Sequence, residues 1–160
     1  MRVRRAERAE IPHLARLWHD GWHEAHAHLL PAVITRIRTP ESFPPRLEAA
    51  LAQVGVVGPI GSPAGFYMLK DDELYQFYVS GPARGTGVAQ ALIVDAEARL
   101  STSGVETSWL ACAIGNERAA RFYEKSGWRR AGIMINHLET PDGEFPLEVW
   151  RYEKALERRA

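Results

Sequence analysis

The sequence has one cysteine, no net charge and no long apolar run. Cys112 alone cannot form a disulfide within the chain, which fits a reducing compartment. Twenty basic residues balance twenty acidic ones, whereas a nucleic-acid partner usually requires a basic face. The charged start MRVRRAERAE is unlike a signal peptide, and a membrane helix needs about 20 apolar residues in succession. These absences predict a cytoplasmic protein that binds neither nucleic acid nor membrane.

The length and composition are those of an ordinary globular protein. The chain has 160 residues, of which 46% are hydrophobic and 25% charged. A chain of this size can bury a core without disulfides or metals. We therefore expect one domain over residues 1–160.

The hydrophobic pattern alternates between helical and strand periods. A first helix is predicted by apolar residues at helical spacing, namely Ile11, Leu14, Ala15, Trp18 and Trp22. An edge strand at Val3 is predicted before this helix, and a proline-broken helical region after it. The strands QVGVVG, AGFYMLK and ELYQFYV follow, and then a helix over about 87–100. The strand VETSWLACAI, the helix NERAARFYEKSG and two closing strands complete the predicted order. The helix over 87–100 crosses between two strands, which predicts that these strands are parallel within one mixed α/β sheet.

The stretch YVSGPARGTGVAQALI (residues 78–93) passes from a strand through a glycine-rich turn into a helix. The first turn of a helix has unpaired N–H groups and the positive end of its dipole. Gly85 and Gly87 leave these groups open to phosphate oxygens, and Arg84 adds positive charge. No lysine follows the glycines as in a P-loop, and Gln90 stands where a dinucleotide fingerprint needs a small residue. A plain helix start beside a solvated arginine is the alternative.

Two motifs together resemble the GNAT acyltransferase superfamily. Residues 84–89, RGTGVA, match the pattern Arg/Gln-x-x-Gly-x-Gly/Ala of its coenzyme A pyrophosphate loop, and NERAARFYEKSGW (116–128) is similar to its second signature. One departure is visible, because Gly81 stands where the family often has proline and Pro82 follows it. The resemblance spans nearly the whole chain. It implies a mixed sheet of six to seven strands with helices on both faces, splayed between strands 4 and 5.

The resemblance implies acetyl-CoA as cofactor and a set of residues that bind it. Main-chain groups of Phe77, Tyr78 and Val79 would bind the pantetheine arm, and the Val79 N–H would polarise the thioester carbonyl. The pyrophosphate would bind main-chain N–H groups of the glycine turn beside Arg84, in the residues Gly85, Thr86, Gly87, Val88 and Ala89. The remaining predicted cofactor contacts are Asn116, which also suits a helix cap, and the aromatic pair Phe122 and Tyr123.

Two residues are the candidate catalytic groups. By its position in the family motif, Tyr123 would be the general acid that donates a proton to the leaving thiolate, and its alternative is a core aromatic. Glu73 is the candidate base, because a carboxylate can accept the ammonium proton directly or through water. In an unbulged strand Glu73 and Val79 would face the same side, since six residues separate them. A solvated charge beside the Asp71–Asp72 turn is the alternative for Glu73.

The stretch LWHDGWHEAHAHLLPA supplies the candidate acceptor site. In similar folds the first helices wall the acceptor pocket, which makes Trp22, His23 and His26 candidates for substrate contact, together with His137 from a late strand. A neutral histidine could also act as base, and histidines at i, i+4 can hold zinc, although no further ligand has metal spacing. We therefore predict no metal site, and Cys112 as a core residue that is not a nucleophile.

The leading hypothesis is transfer of an acetyl group from acetyl-CoA to an amine of a small molecule or peptide, by direct attack in a ternary complex. Transfer to a hydroxyl and a non-catalytic coenzyme A-binding module are the alternatives. The sequence leaves open the acceptor, the acyl chain, the base among Glu73, a histidine or water, and the pairing of final strands in a homodimer.

Overall fold

Seven strands form one mixed sheet in the computed structural model, which describes residues 1–158. The strand order is β1-β2-β3-β4-β5-β7-β6, so β1 and β6 are the edges. All neighbouring strands are antiparallel except β4 and β5, which are parallel as predicted. The strands are β1 (Val3–Arg5), β2 (Val54–Val57), β3 (Gly65–Lys70), β4 (Glu73–Val79), β5 (Thr107–Ala113), β6 (Arg129–Thr140) and β7 (Gly143–Ala155).

Five α-helices cover the two faces of the sheet. They are α1 (Ile11–His26), α2 (Ala32–Ile37), α3 (Phe43–Ala50), α4 (Val88–Thr102) and α5 (Glu117–Lys125). The predicted broken region is thus two short helices, which the segment around Pro40 separates. None of these helices in residues 1–158 combines the length and apolarity that a bilayer crossing demands.

The core consists of two apolar layers, one on each face of the sheet. On one face α1, α2 and α3 bury Trp18, Ile34 and Phe43 against Phe66 of β3. On the other face α4 and α5 pack against the alternate residues of the same strands, including Tyr67. Successive strand residues point to opposite faces, and this alternation explains why β2 is buried along its whole length.

A bulge at Tyr75 interrupts β4. Met68 pairs with Gln76 and Leu69 with Leu74, so Tyr75 is the extra residue. Leu74 and Phe77 consequently contribute to the same core layer although they are three positions apart. Glu73 and Val79 were expected to face the same side only in an unbulged strand, and this condition is not met, because the bulge reverses the alternation between them.

Candidate active site

The strands β4 and β5 meet at one end and separate at the other. Glu73 pairs in register with Trp109, and the turn before β4 anchors this end: Ser108 Oγ donates to the Asp72 carbonyl at 2.6 Å, and the Trp109 indole donates to the Asp72 carboxylate at 3.0 Å. Further along, β4 and β5 have no register pairs in the part of the chain that the structure describes. A cavity of about 200 Å³ lies in the opening, which confirms the predicted splay.

Main-chain groups of β4 point into this opening. The Ser80 N–H donates to the carbonyl of Ala64, the residue before β3, at 2.8 Å, and Val79 lies opposite Gly65. Bonds of an antiparallel ladder alternate between the two edges of a strand. The peptide groups of Phe77 and Val79 therefore face away from β3, toward the gap.

The glycine turn presents unpaired N–H groups at the start of α4. Gly85 and Gly87 have φ values of 78° and 93°, which residues with a Cβ rarely adopt. The first helical bond runs from the Ala91 N–H to the Gly87 carbonyl at 3.0 Å. Within residues 1–158, the N–H groups of Val88 and Ala89 before it have no acceptor, as expected at a helix start. The turn thus has the donors that a diphosphate requires.

Arg84 does not point freely into the solvent. Its guanidinium binds both carboxylate oxygens of Glu24 on α1, at 2.9 and 3.1 Å, and Arg118 of α5 contacts the same carboxylate at 3.3 Å. These two arginines hold the pKa of Glu24 below its usual range. The charge predicted to assist phosphate binding is therefore neutralised by a residue 60 positions away in the sequence.

The helix α5 brings Asn116 and Tyr123 to the cavity. Asn116 caps the helix, because its side-chain oxygen accepts from the Ala119 N–H at 3.4 Å, and it also lines the cavity. Phe122 does not line the cavity; its ring packs on Phe77 at 5.4 Å and on Tyr123 at 5.6 Å. Phe122 thus packs against the Tyr123 ring on the side away from the cavity.

Tyr123 is a buried phenol with its proton still available. Its side chain is 9% exposed, and burial raises its pKa above the ordinary range. The hydroxyl makes no hydrogen bond to any residue in the described range 1–158, although the residue lines the cavity. A protonated hydroxyl without a protein acceptor can donate to a leaving group.

Glu73 lines the same cavity from the closed end of the gap. It is 9% exposed, and burial, the largest cause, raises its pKa to about 7. A general base is most effective when its pKa lies near the working pH. The structure therefore brings both predicted catalytic side chains to one cavity, with protonation states that suit a base and an acid.

The helix α1 forms the opposite wall because it approaches β4 closely. A Cβ at Gly21 would lie 2.6 Å from a ring carbon of Tyr78, so the contact requires glycine. This approach places Trp22 and His26 on the cavity, and His137 reaches it from β6. His23 does not line the cavity, because its Nε2 donates to the Arg38 carbonyl at 2.7 Å.

His26 is a neutral histidine at ordinary pH. Burial lowers its pKa to about 4, and its Nδ1 donates to the Trp22 carbonyl at 2.8 Å. This bond leaves Nε2 as the nitrogen that can accept a proton. His26 is therefore a second base candidate on the same cavity.

Two arginines that line the cavity were not predicted from the sequence. Arg38 and Arg46 both line the cavity, and Arg38 is 8% exposed. A signal was present, since Arg38 follows Ile34 by four positions and Arg46 follows Phe43 by three. Each arginine thus lies on the apolar face of its helical stretch, where a charged residue is unusual.

Within residues 1–158, no group of three or more metal-ligating side chains is arranged to hold an ion. Cys112 lines the cavity, but burial raises its pKa to about 12, so it remains a thiol at neutral pH.

The chain and its fold have counterparts among known proteins. A sequence profile described as the acetyltransferase (GNAT) family matches residues 13–128. The chain belongs to this family. Acyl transfer is accordingly its general chemistry, and the resemblance noted in the two sequence motifs is confirmed.

Solved GNAT structures share the fold at low identity. A GCN5-related N-acetyltransferase from Rhodopseudomonas palustris is 19% identical with a TM-score of 0.74, covering 97% of this chain and 95% of that one. YncA from Salmonella typhimurium, solved with acetyl-CoA, is 15% identical with a TM-score of 0.72, covering 100% and 96%. PaiA N-acetyltransferase from Thermoplasma acidophilum, in complex with coenzyme A, is 15% identical with a TM-score of 0.64, covering 96% and 98%. Comparison with curated proteins gave no match.

Proposed function

We propose that this GNAT protein transfers an acetyl group from acetyl-CoA to an amine by direct attack in a ternary complex. The observation that carries the proposal is the presence of Glu73 and Tyr123 on one cavity, between strands whose main-chain groups are open. The thioester supplies the activated acetyl group. The chain supplies binding, orientation and proton transfer.

Binding of the donor is assigned to main-chain groups. The N–H groups of the turn over residues 85–89 receive the diphosphate, and the exposed edge of Phe77 and Val79 receives the pantetheine arm, next to Asn116. The Val79 N–H faces the gap and is placed to donate to the acetyl oxygen as negative charge develops there. The residues fit this role because Phe77 and Val79 have no ladder partner on the side facing the gap, and the N–H groups of Val88 and Ala89 have no acceptor within residues 1–158. The Thr86 N–H already donates to the Ala83 carbonyl at 3.3 Å.

Proton transfer is assigned to the two side chains. Glu73 accepts a proton from the ammonium form of the acceptor, directly or through water, which leaves a nucleophilic amine. Tyr123 donates a hydrogen bond or proton to the departing sulfur. Because a buried carboxylate with a pKa near 7 matches an ammonium better than a hydroxyl, we favour an amine acceptor over an alcohol.

The test is thiol release from acetyl-CoA with matched amine and alcohol acceptors, followed by the mass of the product. An increase of 42 mass units (about one acetyl group) on the amine is the expected result. Calorimetry with acetyl-CoA, done in parallel, separates catalysis from simple binding. Binding without thiol release in the presence of amines would indicate the non-catalytic module, and product formed on alcohols alone would indicate an O-acetyltransferase.

Two further expectations stay predictions. Pairing of two copies would use the edge strand β6, where Ile133 and Ile135 are 62% and 54% exposed. The cytoplasmic location rests on the single cysteine.

A further inference from the structure

Two arginines on the acceptor side of the cavity have no carboxylate partner. Arg38 follows the end of α2 and Arg46 lies on α3, and neither forms an ion pair within the described residues 1–158. Buried or partly buried guanidinium groups are normally paired with an anion. Their missing partner therefore requires an explanation.

Arg46 is held in place but incompletely bonded. Its Cζ lies 4.2 Å from the centre of the Trp18 ring, and its Nη2 contacts the Tyr75 hydroxyl at 3.4 Å. Its Nη1 is buried and has no hydrogen-bond partner among residues 1–158. A buried unsatisfied N–H group in a rigid side chain costs about 1–3 kcal/mol, more when charged, unless a ligand completes it.

Arg38 adds a second positive charge to the same wall. Its Nη1 donates to the Glu139 carbonyl at 3.1 Å, and His23 fixes its main chain. Burial and the neighbouring charge of Arg46 lower its pKa, which shows that the two guanidinium groups are close enough to repel each other. The Glu139 carboxylate attenuates this repulsion without forming an ion pair with Arg38 in residues 1–158.

We propose that the acetyl acceptor is a free amino acid, whose carboxylate binds Arg46 and Arg38 while its amine faces Glu73. The inference rests on the proposed N-acetyltransferase function and deepens it. The cavity then carries complementary charge for both ends of the zwitterion, positive at Arg38 and Arg46 and negative at Glu73. An anion held between two arginines relieves their repulsion and satisfies the Nη1 donor.

The size of the cavity favours a single amino acid over a peptide chain. Its volume is about 200 Å³. Sites for drug-sized ligands have volumes of roughly 300–1,000 Å³. Because the same cavity also receives the acetyl end of the donor, the space left beside Arg46 suits a small zwitterion better than a peptide chain.

The first experiment needs no variant. Thiol release from acetyl-CoA is measured with amino acids, with the same amino acids as C-terminal amides, and with the corresponding amines that lack the carboxylate. We expect kcat/KM to be about 10- to 100-fold higher for the acids, since hydrogen bonds to charged groups are the strong ones. Equal or better use of the amides and amines would overturn the proposal, and so would a preference for dipeptides over the free amino acids.

The second experiment assigns the preference to Arg46. Arg46→Met keeps an apolar stem over Trp18 but removes the charge, so the acid-to-amide ratio of kcat/KM should fall toward one, whereas Arg46→Lys should retain part of it. Arg36→Met, an exposed arginine of the same segment, is the matched control and should keep the wild-type ratio. An unchanged ratio in Arg46→Met contradicts the proposal; circular dichroism verifies that each variant is folded.

A binding measurement separates this inference from the proposed function. N-acetylated amino acids and their amides, the two kinds of product, are titrated into the protein by calorimetry in the presence of coenzyme A. Tighter binding of the acids, lost in Arg46→Met, supports the carboxylate site even if turnover fails. Thiol release with neutral amines but no preference for acids would leave the N-acetyltransferase function intact and overturn the carboxylate site alone.

Discussion

Glu73 pairs with Trp109 at the point where β4 and β5 separate, so the candidate base stands at the closed end of the cofactor gap. The position contributes to its burial, because β3 and β5 flank it on both sides. Burial in turn explains its raised pKa. One topological feature, the splay of two parallel strands, thus creates both the cavity and the chemistry of its base.

The pH dependence of the reaction should report Glu73. Its carboxylate must be ionised to accept a proton, so kcat/KM should rise with pH through about 7 and level off above it. Glu73→Gln should lower kcat by about 10²- to 10⁴-fold and remove this inflection. The measurement is thiol release between pH 5 and 9, with the exposed Glu106→Gln as control.

The same experiment distinguishes Glu73 from His26 as the general base. With a pKa of about 4, it is already neutral throughout this pH range. A flat profile in the wild-type protein, together with full activity of Glu73→Gln, would assign the base to His26 or to water.

The ionised carboxylate of Glu73 should also lower the free energy of unfolding of the protein. Its folded pKa lies above the unfolded value of about 4.5, so the protonated form is favoured in the folded state. The contribution of Glu73 to the free energy of unfolding is therefore fully present below pH 4.5 and is lost as the pH rises through about 7. Thermal melting should therefore show Glu73→Gln more stable than wild type at pH 8, by about 2–3 kcal/mol, and nearly equal to it at pH 4. A less stable glutamine variant at pH 8 would contradict the raised pKa.

Removal of the Tyr123 hydroxyl should affect turnover far more than binding. Tyr123→Phe keeps the ring contacts with Phe77 and Trp128, so acetyl-CoA affinity should change less than about threefold. The value of kcat should fall about 100-fold or more. Tyr152→Phe is the matched control, because Tyr152 bonds Glu124 at 2.5 Å and does not line the cavity. Loss of affinity with unchanged turnover per bound donor would make Tyr123 structural.

The glycine turn can be tested with a pair of equally strained positions. Gly85 and Gly104 both have positive φ, and a Cβ at either would meet nothing within 4 Å. Each alanine variant should therefore lose about 1–2 kcal/mol of stability. In Gly85→Ala the added methyl also stands where phosphate oxygens approach, and acetyl-CoA affinity should fall about tenfold or more. Calorimetry should find Gly104→Ala unchanged; equal affinities for the two variants would place the diphosphate elsewhere.

Much of this site was predictable because its signals are local. The cap at Asn116, the positive-φ glycines at the start of α4 and the parallel crossover follow from short patterns in the chain. The bulge at Tyr75 was not, since ELYQFYV has no glycine or proline to mark it. The bond between Arg84 and Glu24 also has no local signal, because it depends on how α1 lies beside the glycine turn.

The buried pair of Arg4 and Glu10 should carry much of the acid stability of the protein. Glu10 is 1% exposed. Its carboxylate accepts two hydrogen bonds of 2.8 Å from Arg4 and one of 3.0 Å from the Gly61 N–H. The hydrogen bonds from Arg4 are the largest cause that lowers the pKa of Glu10 to about 2. Because the folded pKa lies below the unfolded one, this stability is present above about pH 4.5 and is lost as pH falls toward 2. Arg4→Met leaves a buried charge without its partner and should cost about 3–5 kcal/mol at pH 7, measured by urea unfolding. The exposed Arg8–Glu48 pair is the control, since Glu48→Gln should lower the free energy of unfolding by about 1 kcal/mol at most. Similar losses of stability from both pairs would mean that burial does not set the strength of the Arg4–Glu10 interaction.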